Sequence, residues 1–322
     1  MESGLPPTLH AAINALLEGR PRGPIAERSA KISDCYRGGG HSGVIVSDDD
    51  VLAYLLARLP ATYAALSAVL REVGARCDFA PKTLTDIGAG PGTASWAAME
   101  CWPGLGQVSM IDSSAVFLDT ARKLAANSPN KALAGAETKL GDVTRLSGMP
   151  SSDLVIASYA LAELNPVKLT SIATSLWRSC TGIFVLVEPG TPAGYERIVA
   201  CRSALLADGA KIIAPCPHAA PCPIVAPDWC HFSQRLARSR DHMIVKAANV
   251  PFEDEKFSYI AVARDHVAIA PYDARVLAPP KKDKTGIAMK LCADGEISLR
   301  KIPKRDRAAF KQARGVGWGD SL

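Results

Sequence analysis

Cys216, Cys222 and Cys230 fall within one stretch, "PCPHAAPCPIVAPDWCHFSQR" (215–235), with His218 and His231 beside them. Thiols and imidazoles gathered this densely are metal-ligating groups, and their spacing, C-x5-C-x7-C, narrows the centre they suit. Prolines at 215, 217, 221, 223 and 227 fix φ and lack an N–H, so a stiff loop wrapped round a centre is predicted here rather than a helix. Zinc modules usually pair their ligands about two to four residues apart, and no such pair occurs; a three-Cys, one-His zinc site using His218 or His231 stays open. An iron–sulfur cluster tolerates varied spacing but needs four thiolates, and Cys292 in "MKLCADGE" is a distant fourth. The plainest alternative is four small, buried, apolar cysteines.

A second chemical signature lies far upstream in "LTDIGAGPGTAS". Gly88, Gly90 and Gly92 let the backbone turn sharply and lie against a ligand, and the helix predicted to follow offers free N–H groups at its start. A dinucleotide site would carry G-x-G-x-x-G. This loop has G-x-G-x-G with Asp86 two positions before the first glycine, and that carboxylate repels a pyrophosphate but attracts an amino-bearing cation. Asp112 closes the next apolar run, where a carboxylate can accept both ribose hydroxyls, and Asp142 in the following "GD" can receive an adenine amino group. An ordinary strand-to-helix turn is the reading without a ligand.

The elements that must position these groups are legible as periodicity. Residues 1–80 are predicted to be a helical region: Leu52, Leu55, Leu59, Tyr63, Leu66 and Leu70 repeat at helical steps, Ser47 suits a helix start, and Pro60 divides the run in two. Before it, "CYRGGGHSG" is a glycine-rich loop whose Tyr36 and Arg37 could fold over a ligand. Residues 81–210 alternate short apolar strands ("TLTDIG", "QVSMID", "ETKLGD", "DLVIASYA", "GIFVLVEPG") with helix-length segments, which implies an α/β, doubly wound, mostly parallel sheet. Residues 211–265 hold the cysteine loop and a last strand, "KFSYIAVARD"; Phe257 and Tyr259 are expected on one core face. Residues 266–322 read as a small appended basic β domain.

The glycine loop and its acids together resemble the Rossmann-like S-adenosylmethionine-dependent methyltransferases, over about residues 82–190. The resemblance implies S-adenosylmethionine as cofactor, with Asp86, Gly88, Ala89, Gly90 and Gly92 forming its loop, Asp112 and Ser113 at the ribose, Asp142 and Val143 beside adenine, and Ser158 at the end of the fourth strand. Where methyltransferases of nucleobase amines carry an Asn/Asp-Pro-Pro-aromatic motif, this chain has "ASYALAEL", and no cysteine nucleophile follows the fourth or fifth strand. Tyr159, Glu163 and Glu188 are the catalytic candidates, each equally suited to packing.

"PCPHAAPCP", "DWCHFSQR", "EDEKFSYIAVAR", "MKLCADG" and the terminal "GWGD" resemble the methyltransferase-like assembly proteins of the mitochondrial small ribosomal subunit and their bacterial relatives. The likeness runs from "RLPATYAAL" to the C-terminus. It implies a [4Fe–4S] cluster on Cys216, Cys222, Cys230 and Cys292, with zinc as the alternative, so that a metal centre clamps the basic C-terminal domain to the methyltransferase-like body. From Arg275 onward there are twelve Lys/Arg against five Asp/Glu, a net of +7, which leaves −2 for the rest of a chain whose total is +5. That asymmetry points to an acidic partner, and the resemblance makes it small-subunit ribosomal RNA, with Lys281, Lys282, Lys284, Lys301, Lys304 and Arg305 as phosphate contacts.

No membrane partner is expected, since no apolar run approaches a span of about 18 residues, and the start lacks a secretory signal's apolar block; a cytoplasmic location is therefore expected. Two other functions compete with methyl transfer to RNA: a non-catalytic assembly factor that keeps the cofactor site, and a small-molecule methyltransferase with a zinc-stabilised lid.

Overall fold

The computed structural model describes residues 4–37, 42–145, 149–163 and 166–322. Helices α1 (Pro7–Leu17) and α2 (Arg22–Arg37) precede α3 (Asp48–Ala57), which starts on a reciprocal cap: Asp50 N donates to Ser47 Oγ, and Ser47 N donates to Asp50 Oδ2 at 3.0 Å. Pro60 sits in the first turn of α4 (Leu59–Arg76), where its missing N–H costs nothing, and the two helices meet at 48°. Leu55, Leu59, Leu66 and Leu70 of this pair are fully buried. Among the described residues no single helix is long and apolar enough to cross a membrane.

The central sheet holds five parallel strands, β1 (Thr83–Ile87), β2 (Gln107–Asp112), β3 (Glu137–Leu140), β4 (Ser152–Ser158) and β5 (Cys180–Pro189). Helices α5 (Thr93–Cys101), α6 (Ala115–Ala125), α7 (Lys131–Ala134), α8 (Pro166–Ser179) and α9 (Pro192–Ala207) are interleaved with them. The short edge strands β6 (Lys211–Ala214) and β7 (Phe232–Ala237) come next, followed by α10 (Arg240–Val245) and the antiparallel β8 (Phe252–Ala263). The spatial order is β3-β2-β1-β4-β5-β8-β6, with β7 paired beside β6 on the outer edge of β8. Both faces are covered: Leu154 and Ile156 of β4 enter the core beneath α4 and α5, while Val155 and Ala157 enter the one beneath α8 and α9. Order reverses between β1 and β4, and the crevice at the carboxyl ends of these strands is where such sheets bind ligands.

The chain after β8 builds a second sheet from β9 (Arg275–Val276), β10 (Lys281–Lys282), β11 (Gly286–Ala293) and β12 (Glu296–Pro303), all antiparallel. Val276, Ile287, Met289 and Leu291 form its own small core with Ala313 of α11 (Arg307–Ala313). Two strands are shorter than their apolar runs suggest. β3 stops at Leu140 because the Asp142 carboxylate turns the chain, accepting from Thr144 N at 2.8 Å. β4 stops at Ser158 because Tyr159 adopts φ 58°, in the left-handed region.

Candidate cofactor cleft and cysteine cavity

Gly88, Gly90 and Gly92 all have positive φ (64°, 54° and 84°), so β1 turns into α5 through a path that L side chains rarely follow. A Cβ on Gly88 would stand 2.5 Å from that of Ala160, whereas one on Gly90 would meet nothing within 4 Å, so the loop is tight on one side and open on the other. Gly88 N and Ala89 N donate to Ile111 O at the end of β2. Asp112, next along, accepts from Gly90 N through Oδ2 and from Ser114 N through Oδ1, both at 2.7 Å. A carboxylate oxygen can accept more than one hydrogen bond, so these straps are compatible with a ligand hydroxyl.

Asp86 is fully buried; its Oδ2 accepts from Ser95 N and Ser95 Oγ, while Oδ1 is buried without a partner among the described residues, as is Thr93 Oγ1. Burial pushes the Asp86 carboxyl up to about 7 against the pull of Ser95. A carboxylate in this state suits a cationic amine, and the strapped Asp112 suits vicinal hydroxyls, so the donor set fits S-adenosylmethionine. Asp142 lies at the rim, exposed; Val143 is half-buried against the α8 side, Ser113 is exposed and Ser158 is half-buried at the strand end.

Two of the three catalytic candidates, Tyr159 and Glu188, are held by partners. The Tyr159 hydroxyl donates to Glu255 Oε1 at 3.4 Å, an oxygen that also accepts from Arg58 Nη2 at 3.3 Å, and burial holds this phenol well above its ordinary pKa. Arg58 at the α3–α4 junction and Glu255 on β8 are 197 positions apart, with no local pattern to link them. Glu188 is fully buried and raised to about 7 by that burial, although Arg197 Nε donates to it at 2.6 Å. Glu163 ends a single 3-10 turn, and its side chain, like those of Tyr36 and Arg37, lies outside the described residues.

Cys216, Cys222 and Cys230 of the proline-rich loop and Cys292 of β11 line one cavity. Tyr195 Oη lies 3.2 Å from Cys222 Sγ, and His218 Nε2 lies 3.3 Å from Cys292 Sγ. Burial raises Cys292 to about 12, and it lifts Cys216 and Cys230 above their ordinary value, Cys230 with further repulsion from the other three sulfurs. Among the described residues no three His, Cys, Asp or Glu side chains meet closely enough to share one metal ion. A single zinc would need sulfurs about 3.8 Å apart, the tetrahedral consequence of Zn–S bonds of about 2.3 Å. Four thiols from a loop and a strand line one cavity, the donor number that a four-thiolate centre takes. His231 is stacked on Trp229 at 4.9 Å with Trp318 edge-on at 4.9 Å, and it does not line the cavity. Cys77, Cys180 and Cys201 are buried in the two sheet cores.

The register of the second sheet relates the cavity to the basic residues. Lys281, Ala288 and Lys301 stand in one row, Lys290 and Leu299 in the next, and Cys292, Ile297 and Arg275 in the third, and strand alternation puts all of these on one face. Leu299 is 75% exposed on it. Lys281, Lys282, Lys284, Lys301, Lys304 and Arg305 are spread along this sheet and its loops, and all six are exposed. Lys282 differs in lying on the opposite face, where its Nζ donates to Arg314 O at 2.9 Å.

A parallel sheet that reverses order at a glycine loop, with acids at the ends of β1 and β2 and an antiparallel strand beyond β5, is the fold of S-adenosylmethionine-dependent methyltransferases. The chain belongs to the family described as mitochondrial small ribosomal subunit Rsm22, which matches residues 48–322. It is 32% identical over 291 residues to the human mitochondrial ribosome assembly protein METTL17, covering 84% of this chain and 62% of that one. It is 27% identical to the Rsm22-cox11 tandem protein 2 of Schizosaccharomyces pombe, also mitochondrial, covering 85% of this chain and 43% of that one. The chain thus spans less than two thirds of the length of these relatives. Among solved structures it is similar to the magnesium protoporphyrin IX methyltransferase of Synechocystis with bound S-adenosylmethionine, at 14% identity and a TM-score of 0.44, covering 74% of this chain and 93% of that one.

The expected cytoplasmic location is overturned by these relatives, which are mitochondrial proteins. Hydropathy, on which that expectation rests, separates secreted and membrane proteins from the rest but does not distinguish a cytoplasm from an organelle's interior.

Proposed function

We propose that this chain is a methyltransferase-fold assembly factor of the small ribosomal subunit that binds S-adenosylmethionine at the glycine loop, carries a [4Fe–4S] cluster on Cys216, Cys222, Cys230 and Cys292, and contacts ribosomal RNA through its C-terminal sheet. The observation that carries the reading is the meeting of four cysteines, three from one loop and one from β11, around one cavity. Membership of the Rsm22 family supports the ribosomal setting. When bound, the cluster supplies a covalent link between loop and sheet, and Cys292 lies on the same sheet face as Lys281 and Lys301, so the link orients a cationic surface. S-adenosylmethionine supplies an electrophilic methyl group; Asp86 would hold its amine and Asp112 its ribose.

Membership without turnover is favoured over methyl transfer by one observation: Tyr159 and Glu188, the polar groups at the ends of β4 and β5, are already engaged by Glu255 with Arg58 and by Arg197. The test is RNA crosslinking in cells together with methyl-transfer assays on precursor ribosomal RNA, and iron and sulfide analysis of anaerobically purified protein. Crosslinks without new methylation support an assembly factor, while methylation lost with the gene product makes the chain an enzyme. Stoichiometric zinc without iron would refute the cluster.

A further inference from the structure

Arg202 of α9 is 4% exposed and lines the cysteine cavity. Its Nη2 donates to His218 O at 2.9 Å and Ala220 O at 2.8 Å, both neutral carbonyls of the cysteine loop, and Cys216 lines the same cavity. Its Nε is buried without a partner among the described residues. A second guanidinium, Arg275, is 1% exposed on the same cavity wall, with Nε on Pro215 O and Nη2 on Glu72 Oε1. Buried cations are costly unless an anion offsets them, and among the described residues Glu72 pairs with Arg275 and the nearby Arg76. Tyr195, Ile198, Val199 and Arg202 line the cavity at helical i, i+3, i+4 and i+7 spacing, so α9 turns one whole face towards the sulfurs.

We propose that Arg202, seconded by Arg275, is the counter-cation of the iron–sulfur centre, with Arg202 Nε donating to sulfur on the Cys216 side and Tyr195 Oη donating to Cys222 Sγ. The inference rests on the four-cysteine reading. Four thiolates on a 2+ core leave a net charge of −2, and one-electron reduction makes it −3, so a buried cation and hydrogen bonds to sulfur favour the reduced state and raise its potential. Arg202 is a positioning residue as well, since its carbonyl contacts tie the loop between Cys216 and Cys222.

The test is an electron-paramagnetic-resonance-monitored reductive titration of the anaerobically purified full chain and its Arg202→Met, Arg202→Lys and Tyr195→Phe variants. Arg202→Met should lower the equilibrium constant for reduction at least tenfold, ~59 mV for one electron. Arg202→Lys, which keeps the charge but not the fork to two carbonyls, should recover most of that loss. Tyr195→Phe should shift the potential the same way by less. If Arg202→Met loses its iron outright, retention in Arg202→Lys with a shifted Tyr195→Phe supports the same assignment. Wild-type potentials in both Arg202→Met and Tyr195→Phe overturn it and leave the cluster standing; absence of iron and sulfide from the wild-type chain overturns the cluster and the counter-cation together.

Discussion

Arg275 and Cys292 are directly opposite one another in the register of β9 and β11, and both line the cavity that holds the three loop cysteines. The pair joins two attachments of the C-terminal sheet at one point. Cys292 would offer a ligand bond to the proposed cluster, while Arg275 donates to Pro215 O at 2.9 Å, to Gly319 O at 2.6 Å and to Glu72 Oε1 at 2.7 Å. The sheet is therefore tied to the body by hydrogen bonds that do not require a metal centre, and a cluster would tighten this junction rather than create it.

Cys292→Ser should sharply lower the brown absorbance and the bound iron, because the fourth iron loses its thiolate and keeps at best a weaker oxygen ligand. Hydrogen exchange in β11 and β12 should quicken only part-way to the rate of exposed amides, since the Arg275 bonds remain. Cys180→Ser, at a sulfur packed in the α8 core, should keep both iron and protection. A cluster retained by the Cys292 variant would refute the ligand set.

Asp112→Ala should weaken S-adenosylmethionine binding by about ten- to a hundredfold, or about 1.5–3 kcal/mol, through loss of a charged acceptor for the ribose hydroxyls. The same change frees Gly90 N and Ser114 N, so loop order should fall too. Titration calorimetry on the wild type and variant measures the first effect. Unchanged affinity would put the ribose elsewhere.

Asp86 makes stability depend on pH with a definite sign. Its folded pKa of about 7 exceeds the 3.8 of an aspartate in water, so the folded state binds the extra proton between those values and stability falls as pH rises through that window. Asp86→Asn should flatten the fall and leave the ligand-free chain more stable than wild type at pH ~8 by about 2–4 kcal/mol. Glu188, raised to about 7 by its own burial, leaves a residual slope of the same sign. Urea midpoints at pH ~5 and ~8 read this out. A cationic amine bound at Asp86 requires the ionised form, so S-adenosylmethionine affinity should rise with pH up to about 7, by up to tenfold per unit.

Changing Lys281, Lys284, Lys301 and Lys304 to Gln should weaken binding to small-subunit RNA and flatten the plot of log affinity against log salt, by about 0.7 for each single-strand phosphate that is no longer neutralised. Lys282→Gln should do less, because its ammonium is already engaged by Arg314 O on the other face. An unchanged slope in the fourfold variant would make these lysines a solvated surface only.

What the sequence determined by itself is what is contiguous along the chain. Strand, glycine turn and helix occupy neighbouring residues, so Asp86, Gly88, Gly90, Gly92 and Asp112 announce the tight strand-to-helix turn and the acids beside it by type and order, and the helical steps broken at Pro60 announce the α3–α4 pair. The cysteine loop is legible for the same reason, since its prolines and thiols share one short stretch. Only the tertiary structure decided which distant groups complete each site. Arg58 with Glu255, and Arg275 with Glu72, are 197 and 203 positions apart. Arg202 sits at an unremarkable position in a helix, yet packing removes it from water and places it on the wall of the cavity that the four cysteines line. An ion pair or a buried cation is selected by burial and by the register of remote strands, neither of which leaves a period or a spacing in the local sequence, whereas a turn is selected by backbone torsions that its own residues control.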